Sequence, residues 1–154
     1  MDMELLANLR NLEKLNFSNT PADSLDMLSG MVKMRDLRFS NTYVSQLSPL
    51  ERLKELQILN CSYTYVEDLG PLYELNMLER LYISNTPVED LEPLKELEKL
   101  QTIYLDSTNV SDIGPLSGLP ELERIYCDNT GIKGSKADSF MAENPKVLVV
   151  YESV

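Results

Sequence analysis

The chain has 154 residues, of which 43% are hydrophobic and 25% are charged, which is enough for one folded domain with a substantial core. Its 25 acidic residues outnumber its 14 basic ones, and the net charge of −11 opposes binding to nucleic acid or to anionic membrane surfaces. No apolar run reaches the length of about 18 residues that a membrane-spanning helix needs, so membrane insertion is not expected.

Most of the sequence consists of a 22-residue repeat, and the first residues match only the second half of a repeat unit. Met3 and Leu6 stand one full repeat before Leu25 and Leu28, so residues 1–11 correspond to the second half of a repeat. Solenoids usually carry a polar cap at each end, because a terminal coil otherwise exposes core side chains. The N-terminal sequence does not resemble such a cap, and three interpretations stay open: a fragment of a longer array, a half-repeat that acts as a minimal cap, or an end covered by another chain.

The first residues, Met1-Asp2-Met3-Glu4, have neither the basic stretch nor the long apolar stretch of a signal peptide. We therefore expect a cytoplasmic protein if the chain is complete. A cell-surface or secreted location fits the alternative that the chain is a piece of a longer protein.

Residues 12–132 follow this repeat with the pattern L-x-x-L-x-L-x-x-T-x-V-x-D-L-x-P-L-x-x-L. The L-x-L segment alternates apolar and variable positions, which predicts a short strand whose apolar side chains point inward. The proline that follows fixes φ and donates no hydrogen bond, which suits the first turn of a short helix or 3₁₀ turn. One unit cannot cover its own apolar face, so the units are expected to stack as successive coils. The central apolar column contains Leu15, Leu37, Leu59, Leu81, Ile103 and Ile125, and the prolines are Pro49, Pro71, Pro93 and Pro115.

Two polar columns of the repeat are expected to have structural roles. A threonine follows each strand, and its hydroxyl is expected to bond backbone groups from one coil to the next. An aspartate precedes the helical turn in three units, where its carboxylate would cap open N–H groups, and we prefer this role to a calcium site. The threonines are Thr20, Thr42, Thr64, Thr86, Thr108 and Thr130, and the aspartates are Asp68, Asp90 and Asp112.

The pattern changes over residues 133–154, which we interpret as a C-terminal cap. Ser135 stands where an apolar residue is due, and the segment from Ser135 to Met141 predicts a short helix with Ser135 near its N-cap. Phe140 and Met141 would then cover the last coil. The apolar columns resume at the spacing of the repeat, which predicts a seventh strand in phase with the others. The inward residues of this strand would be Val147 and Val149.

This repeat resembles the leucine-rich-repeat family, and its 22-residue length resembles the internalin-like subfamily of bacteria, with threonine where the family normally has asparagine. The resemblance is close over residues 9–132 and looser in the remainder. It implies an α/β fold forming a single domain over residues 1–154. The implied shape is a curved right-handed solenoid, or horseshoe, with a parallel β-sheet on the concave face and short helical or 3₁₀ turns on the convex face. Members of the family are mostly protein-binding modules, and some bind carbohydrate or lipid.

Catalysis and metal binding are not expected. The chain has no histidine, which removes the commonest general base and metal ligand at neutral pH. Cys61 and Cys127 fall on inward positions three coils apart, so their Cα atoms should be roughly 14 Å apart, too far for a disulfide. We therefore expect both cysteines to be free, buried and inert thiols. Together with the lack of histidine, this leads us to expect no enzymatic activity, no metal and no cofactor.

The residue between the two inward side chains of each strand faces the groove, and three consecutive units place tyrosine there. Charged residues flank these tyrosines two positions before and two positions after. Tyrosine and arginine are enriched at binding hot spots, so we predict that these residues contact a partner. A tyrosine ladder that only stabilises the sheet is the alternative. The groove series is Asn16, Arg38, Asn60, Tyr82, Tyr104, Tyr126 and Leu148, and the predicted contacts are Tyr82, Tyr104, Tyr126, Arg38, Arg80, Arg124, Asp106 and Asp128.

The sequence thus predicts a non-catalytic protein–protein interaction module that binds a partner protein through its concave face. It favours a monomer but does not determine the oligomeric state. Two other functions stay open. Stacked tyrosines with nearby aspartate and arginine also suit sugar rings, which would make the chain a carbohydrate-binding surface module. A structural spacer within a longer repeat array is the other alternative. The sequence does not identify the partner protein.

Overall fold

Seven short parallel strands form one sheet, in which every strand pairs with the next strand along the chain. The structure is a computed structural model that describes residues 9–152, so most of the predicted N-terminal half-repeat, including Met3 and Leu6, lies outside the described residues. The strands are β1 (Lys14–Asn16), β2 (Asp36–Arg38), β3 (Ile58–Asn60), β4 (Arg80–Tyr82), β5 (Thr102–Tyr104), β6 (Arg124–Tyr126) and β7 (Leu148–Val150).

Strands β1 to β6 pair at the constant spacing of the repeat, so equivalent positions of successive repeats lie side by side. Leu59, for example, pairs with Leu37 on one side and with Leu81 on the other. The middle residue of each strand points into the core, and these three leucines are fully buried. The first and third residues point away from the core, onto the concave face. The predicted solenoid with its parallel sheet is therefore confirmed.

A 3₁₀ helix of three residues lies between each two successive strands from β1 to β6, and four of these five helices begin with the repeated proline in their first turn. The predicted capping by aspartate is confirmed. The carboxylate of Asp68 accepts a hydrogen bond from the Gly70 N–H at 2.7 Å, and that of Asp90 accepts one from the Glu92 N–H at 2.8 Å. The 3₁₀ helices are Asp26–Leu28, Ser48–Leu50, Gly70–Leu72, Glu92–Leu94 and Gly114–Leu116.

Each of the strands β1 to β6 is followed by a turn in which one residue has a positive φ, between 52° and 60°. In the second coil this residue is Asn41, and the hydroxyl of the following Thr42 donates to the carbonyl oxygen of Phe39 at 2.8 Å. The threonines of the other five coils repeat this bond within their own coils. The prediction that these hydroxyls connect one coil to the next is therefore wrong, because the left-handed residue folds the turn tightly enough to place the hydroxyl over the carbonyl three residues back. Backbone groups connect the coils instead, as where the Asn41 N–H donates to the Ser62 carbonyl oxygen at 3.0 Å.

The two cysteines lie on inward positions and are free, buried thiols, as predicted. Burial raises the pKa of Cys61 from 9.0 to about 12. Burial also raises the pKa of Cys127 from 9.0 to about 12, and the nearby carboxylates of Asp106 and Asp128 add to that shift. Both residues therefore act as small core hydrophobes.

The C-terminal end of the array carries the helix α1 (Gly134–Glu143), as the sequence predicts. Ala137 and Phe140 are buried, and Met141 packs against the core. The N-cap residue is Lys133, and Ser135 lies two residues later in the first turn of α1, near the N-cap as predicted. None of the helices in the described part of the chain has the length and apolar character needed to cross a membrane.

The last strand is out of phase with the repeat. Ile125 pairs with Val149 and Tyr126 pairs with Val150, so β7 follows β6 two positions later than the repeat requires. The prediction that Val147 and Leu148 continue the regular series is wrong, and Leu148 lies beside the first residue of β6. The reason is the connection, because α1 has 10 residues where the other units have a 3₁₀ helix of 3.

Candidate binding face on the concave sheet

The outward side chains of the sheet form three parallel rows, because the strands are in register. The arginine row runs along the first residues of the strands and includes Arg80, Thr102 and Arg124. The tyrosine row runs along the third residues. A third row lies two residues after the tyrosine row, beyond the strand ends, and we call it the acidic row because its last two members are aspartates. In chain order the acidic row contains Ser18, Ser40, Ser62, Ser84, Asp106 and Asp128.

The tyrosine ladder consists of Tyr82, Tyr104 and Tyr126, which lie on neighbouring strands in paired positions. The ring centroids of Tyr82 and Tyr104 are 4.5 Å apart with an interplanar angle of 6°, and those of Tyr104 and Tyr126 are 4.4 Å apart with an angle of 2°. The rings therefore lie nearly parallel, face against face, and each side chain is half-buried. Burial raises the pKa of the central Tyr104, and its two tyrosine neighbours add to the shift.

Stacking of this kind leaves the ring edges, rather than the ring faces, for a partner. The inner faces of the ladder are covered by the neighbouring rings at van der Waals distance. A ligand that recognises an open aromatic face finds only the outer faces of Tyr82 and Tyr126. The ladder thus offers a ridge of ring edges and phenolic oxygens, which suits a partner with both apolar and hydrogen-bonding groups.

The predicted arginines fall into two environments. Arg80 and Arg124 are exposed, and neither forms an ion pair or side-chain hydrogen bond with any other described residue. Arg38 instead forms a forked contact with Asp36 in its own strand, with its Nε 2.8 Å from Oδ1 and its Nη2 3.2 Å from Oδ2. The hydrogen bond to Asp36 raises the pKa of Arg38. The guanidinium of Arg38 is therefore already occupied, and it lies two strands away from the ladder.

The predicted aspartates are largely engaged by the fold. The Asp106 carboxylate accepts a hydrogen bond from the Asp128 backbone N–H at 2.8 Å and lies 3.4 Å from the Ser84 hydroxyl. Ser18 has the same role in the first coil, where its hydroxyl oxygen accepts from the Ser40 N–H at 3.1 Å. In Asp128, the Oδ1 atom is buried and has no hydrogen-bond partner among the described residues. Asp106 is thus a structural residue in the acidic row, and Asp128 keeps an unsatisfied acceptor.

The structure brings seven of the eight predicted residues together across β4 to β6 and leaves Arg38 apart. Across this region the arginine row, the tyrosine row and the acidic row lie side by side. The surface is therefore positively charged where the strands begin and negatively charged beyond their ends. Within the part of the chain that the structure describes, no group of three or more histidine, cysteine, aspartate or glutamate side chains is placed to hold a metal ion. The available chemistry is recognition by aromatic edges and charge.

Three exposed tyrosines at the turns that follow the strands were not among the predicted contacts. Tyr43, Tyr63 and Tyr65 are each about 60% exposed. A signal for them was present in the sequence. The turn residue with a positive φ is asparagine or serine in five of the six coils, and in the third coil it is Tyr63. This tyrosine therefore departs from the repeat at a position where a bulky side chain is unfavourable.

Comparison with known proteins finds similarity in solved structures. Neither a protein-family model nor a curated protein matches the sequence. Internalin C2 from Listeria monocytogenes matches with a TM-score of 0.91 and 29% identity, over 99% of this chain and 66% of that protein. The Listeria internalin InlF matches with a TM-score of 0.72 and 21% identity, over 96% of this chain and 49% of that protein. A leucine-rich-repeat protein from Leptospira interrogans matches with a TM-score of 0.87 and 21% identity, over 94% of this chain and 38% of that protein.

Stacked coils, an in-register parallel sheet and an outward-facing groove define a leucine-rich-repeat protein. Its 22-residue units and its fold are similar to those of internalin C2. It spans 66% of internalin C2 and smaller shares of the other two proteins.

Proposed function

We propose that the chain is a non-catalytic interaction module that binds a partner protein through the concave face of β4 to β6. Leucine-rich-repeat solenoids present extended concave surfaces of the kind used for binding. The observation that carries the proposal is the combination of the tyrosine ladder with Arg80 and Arg124, two exposed arginines that have no ion pair among the described residues. The lack of histidine in the sequence supports the non-catalytic part of the proposal.

The ladder favours binding because it is organised before a partner arrives. The central ring of Tyr104 is held between two neighbours at 4.5 Å and 4.4 Å, so its side chain loses little rotational freedom when a partner docks. A flexible aromatic side chain would have to be ordered at the expense of part of the binding energy. Rigid tyrosines therefore make good apolar anchors.

The two arginines indicate the kind of partner group that meets the ladder. In a protein with a net charge of −11, exposed guanidinium groups without an intramolecular carboxylate are the local sites that attract acidic groups. Guanidinium recognises carboxylate through two parallel hydrogen bonds. We therefore expect the partner to place aspartate or glutamate side chains over the arginine row.

The three rows also define an orientation for the partner. Its acidic groups would face the arginine row, and its basic or hydrogen-bond-donating groups would face the partly exposed side chain of Asp128. A partner docked the other way round would place like charges against each other. The proposed interface is thus directional across the strands.

The experiment compares proteins captured by the wild type with those captured by variants that change only the ladder. In the ladder variant, all three tyrosines are replaced with asparagine. The chain itself has asparagine in the same row at Asn16 and Asn60, so we expect this variant to fold. An exposed tyrosine outside the groove gives the control, Tyr73→Ser. Serine is the residue of the first coil at that position, Ser29.

We expect a partner protein that wild type and Tyr73→Ser retain and that the ladder variant loses. A second variant, Arg80→Thr with Arg124→Thr, should weaken the same interaction, and more strongly at low ionic strength, where the charge attraction is least screened. Threonine is the residue between these arginines in the row, at Thr102. Equal capture by folded wild type and folded ladder variant would reject the concave site. Circular dichroism of every variant confirms folding.

A further inference from the structure

A second candidate site lies at the turn edge of the solenoid, away from the tyrosine ladder. We call it the turn cleft, and it is an opening of about 510 Å³ where the chain leaves the strands of the first four coils. Its aromatic lining is Tyr43, Tyr63 and Tyr65, and its carboxamide lining is Asn19, Asn41 and Asn85. Threonine and proline complete the walls.

The tyrosines of the turn cleft keep open faces, unlike those of the ladder. Tyr43, Tyr63 and Tyr65 are 61%, 60% and 62% exposed. The rings of Tyr43 and Tyr65 are nearly parallel, with an interplanar angle of 9°, but their centroids are 6.3 Å apart, against 4.4 Å to 4.5 Å in the ladder. The wider spacing leaves aromatic surface uncovered and available to a ligand.

Tyr63 stands at an unfavourable backbone position. Its φ is 56°, in the left-handed region, where a bulky side chain is disfavoured and asparagine is tolerated. The equivalent residues Asn19, Asn41, Asn85 and Asn129 satisfy that requirement, and Ser107 replaces them in one coil. An exposed tyrosine at this position gains nothing from core burial that would offset the strain. Strained residues of this kind concentrate at binding sites.

The polar groups of the turn cleft are neutral and partly unused. The Asn41 amide nitrogen donates to the Asn19 amide oxygen at 2.9 Å, which leaves the Asn19 nitrogen and the Asn41 oxygen open. The Asn85 carboxamide has no hydrogen-bond partner among the described residues. Among residues 9–152, no charged side chain lines the cleft, although the protein carries a net charge of −11. The surface is therefore suited to an uncharged ligand that both donates and accepts hydrogen bonds.

The backbone N–H groups of Tyr63 and Tyr65 in the turn cleft are already hydrogen-bonded. The N–H of Tyr63 donates to the Ser84 carbonyl oxygen at 2.9 Å, and the N–H of Tyr65 donates to the Val44 carbonyl oxygen at 3.0 Å. These two N–H groups are used between coils and cannot pair with an added strand, which favours recognition by side chains.

We propose that the turn cleft binds an uncharged oligosaccharide. The open tyrosine faces stack against the C–H faces of pyranose rings, which are the apolar surfaces of a sugar. The free carboxamide groups bond with sugar hydroxyls, since each partner both donates and accepts. The absence of charge from the lining selects neutral sugars over acidic ones, which the protein's net negative charge also repels. This site is separate from the protein-binding face proposed above and does not depend on it.

The test uses four neutral hexasaccharides, cellohexaose, xylohexaose, mannohexaose and N-acetylchitohexaose, with hexaproline as a peptide comparison. Binding is measured by isothermal titration calorimetry and located by ¹⁵N NMR. The variant is Tyr63→Asn with Tyr65→Asn, which introduces the residues that other coils have at these two positions, Asn85 and Asn109. Tyr63→Asn alone is a second variant, and Tyr73→Ser is the control outside the cleft.

We expect at least one hexasaccharide to bind, with NMR shifts confined to the turn cleft. The double variant should weaken this binding at least about tenfold, while Tyr73→Ser and the ladder variant leave it unchanged. Four results would overturn the proposal. They are no binding of any hexasaccharide, unchanged affinity in the folded double variant, and preferential binding of hexaproline or self-association of the protein through the cleft.

Discussion

Replacement of Thr86 with valine removes one buried hydroxyl and keeps the branched shape of the side chain. Thr86 is 4% exposed, and its hydroxyl donates to the Ile83 carbonyl oxygen at 2.6 Å. That carbonyl has no other hydrogen-bond partner among the described residues. The variant would therefore leave a buried acceptor unsatisfied, which costs about 2 kcal/mol, within a range of about 1–3 kcal/mol.

A matched control comes from the first coil, where Thr20 makes the same bond to Phe17 at 2.8 Å. Thr20 is only half-buried, so water can replace the lost hydroxyl in the variant Thr20→Val. We expect this variant to lose less than about 1 kcal/mol. The difference between the two valine variants isolates the effect of burial from the effect of the substitution.

Thermal and urea unfolding followed by circular dichroism measure both losses. For a chain of this length, about 2 kcal/mol corresponds to a decrease in Tm of about 4–8 °C. Thr86→Ser keeps the hydroxyl and should recover at least half of the loss. Equal losses at Thr86 and Thr20 would show that burial does not set the cost of losing the bond. No loss at Thr86→Val would show that the bond does not stabilise the turn.

The remaining predictions concern Tyr63, Asp68 and the two cysteines. Tyr63→Asn should raise the free energy of unfolding by about 1 kcal/mol, because asparagine tolerates the left-handed φ of 56°, and a lower midpoint of urea denaturation would contradict this. Asp68→Ala should lower the free energy of unfolding by about 1 kcal/mol, because the cap on the Gly70 N–H is lost. The control variant Asp68→Asn should retain much of the stability. Cys61 and Cys127 should not react with iodoacetamide at pH 8 in the native protein and should react after unfolding, because burial raises their pKa to about 12. The same shift means that the folded state holds these protons more tightly than the unfolded state, so stability should be retained below pH 9.0 and decrease as the pH rises toward about 12.

The repeat made most of the fold predictable from the sequence. Each column of the 22-residue pattern has one structural position, so the inward leucines, the 3₁₀ turns and the capping aspartates could be assigned before the structure was known. The placement of the tyrosine ladder followed in the same way, because equal spacing along the chain becomes adjacency between strands.

Features that depend on local geometry could not be predicted from periodicity. The partner of each threonine hydroxyl is set by the left-handed residue before it, and the pattern does not report φ. The phase of β7 is set by the length of α1, which lies outside the repeat. The turn cleft depends on where three tyrosines project from successive turns, and Tyr43 and Tyr65 look like ordinary variable positions in the sequence.

The change of phase at the last strand shows which insertions the array tolerates. Side chains alternate between core and groove along a strand, so only an even difference in coil length keeps leucine inside and tyrosine outside. The coil that contains α1 exceeds the others by two residues, and Val149 still points inward beside Ile125. The groove can therefore be lengthened in steps of one strand spacing, about 4.8 Å, by duplication of a whole unit such as residues 83–104, which would add one tyrosine to the ladder. An insertion of a single residue would exchange the two faces of every strand whose pairing it displaced.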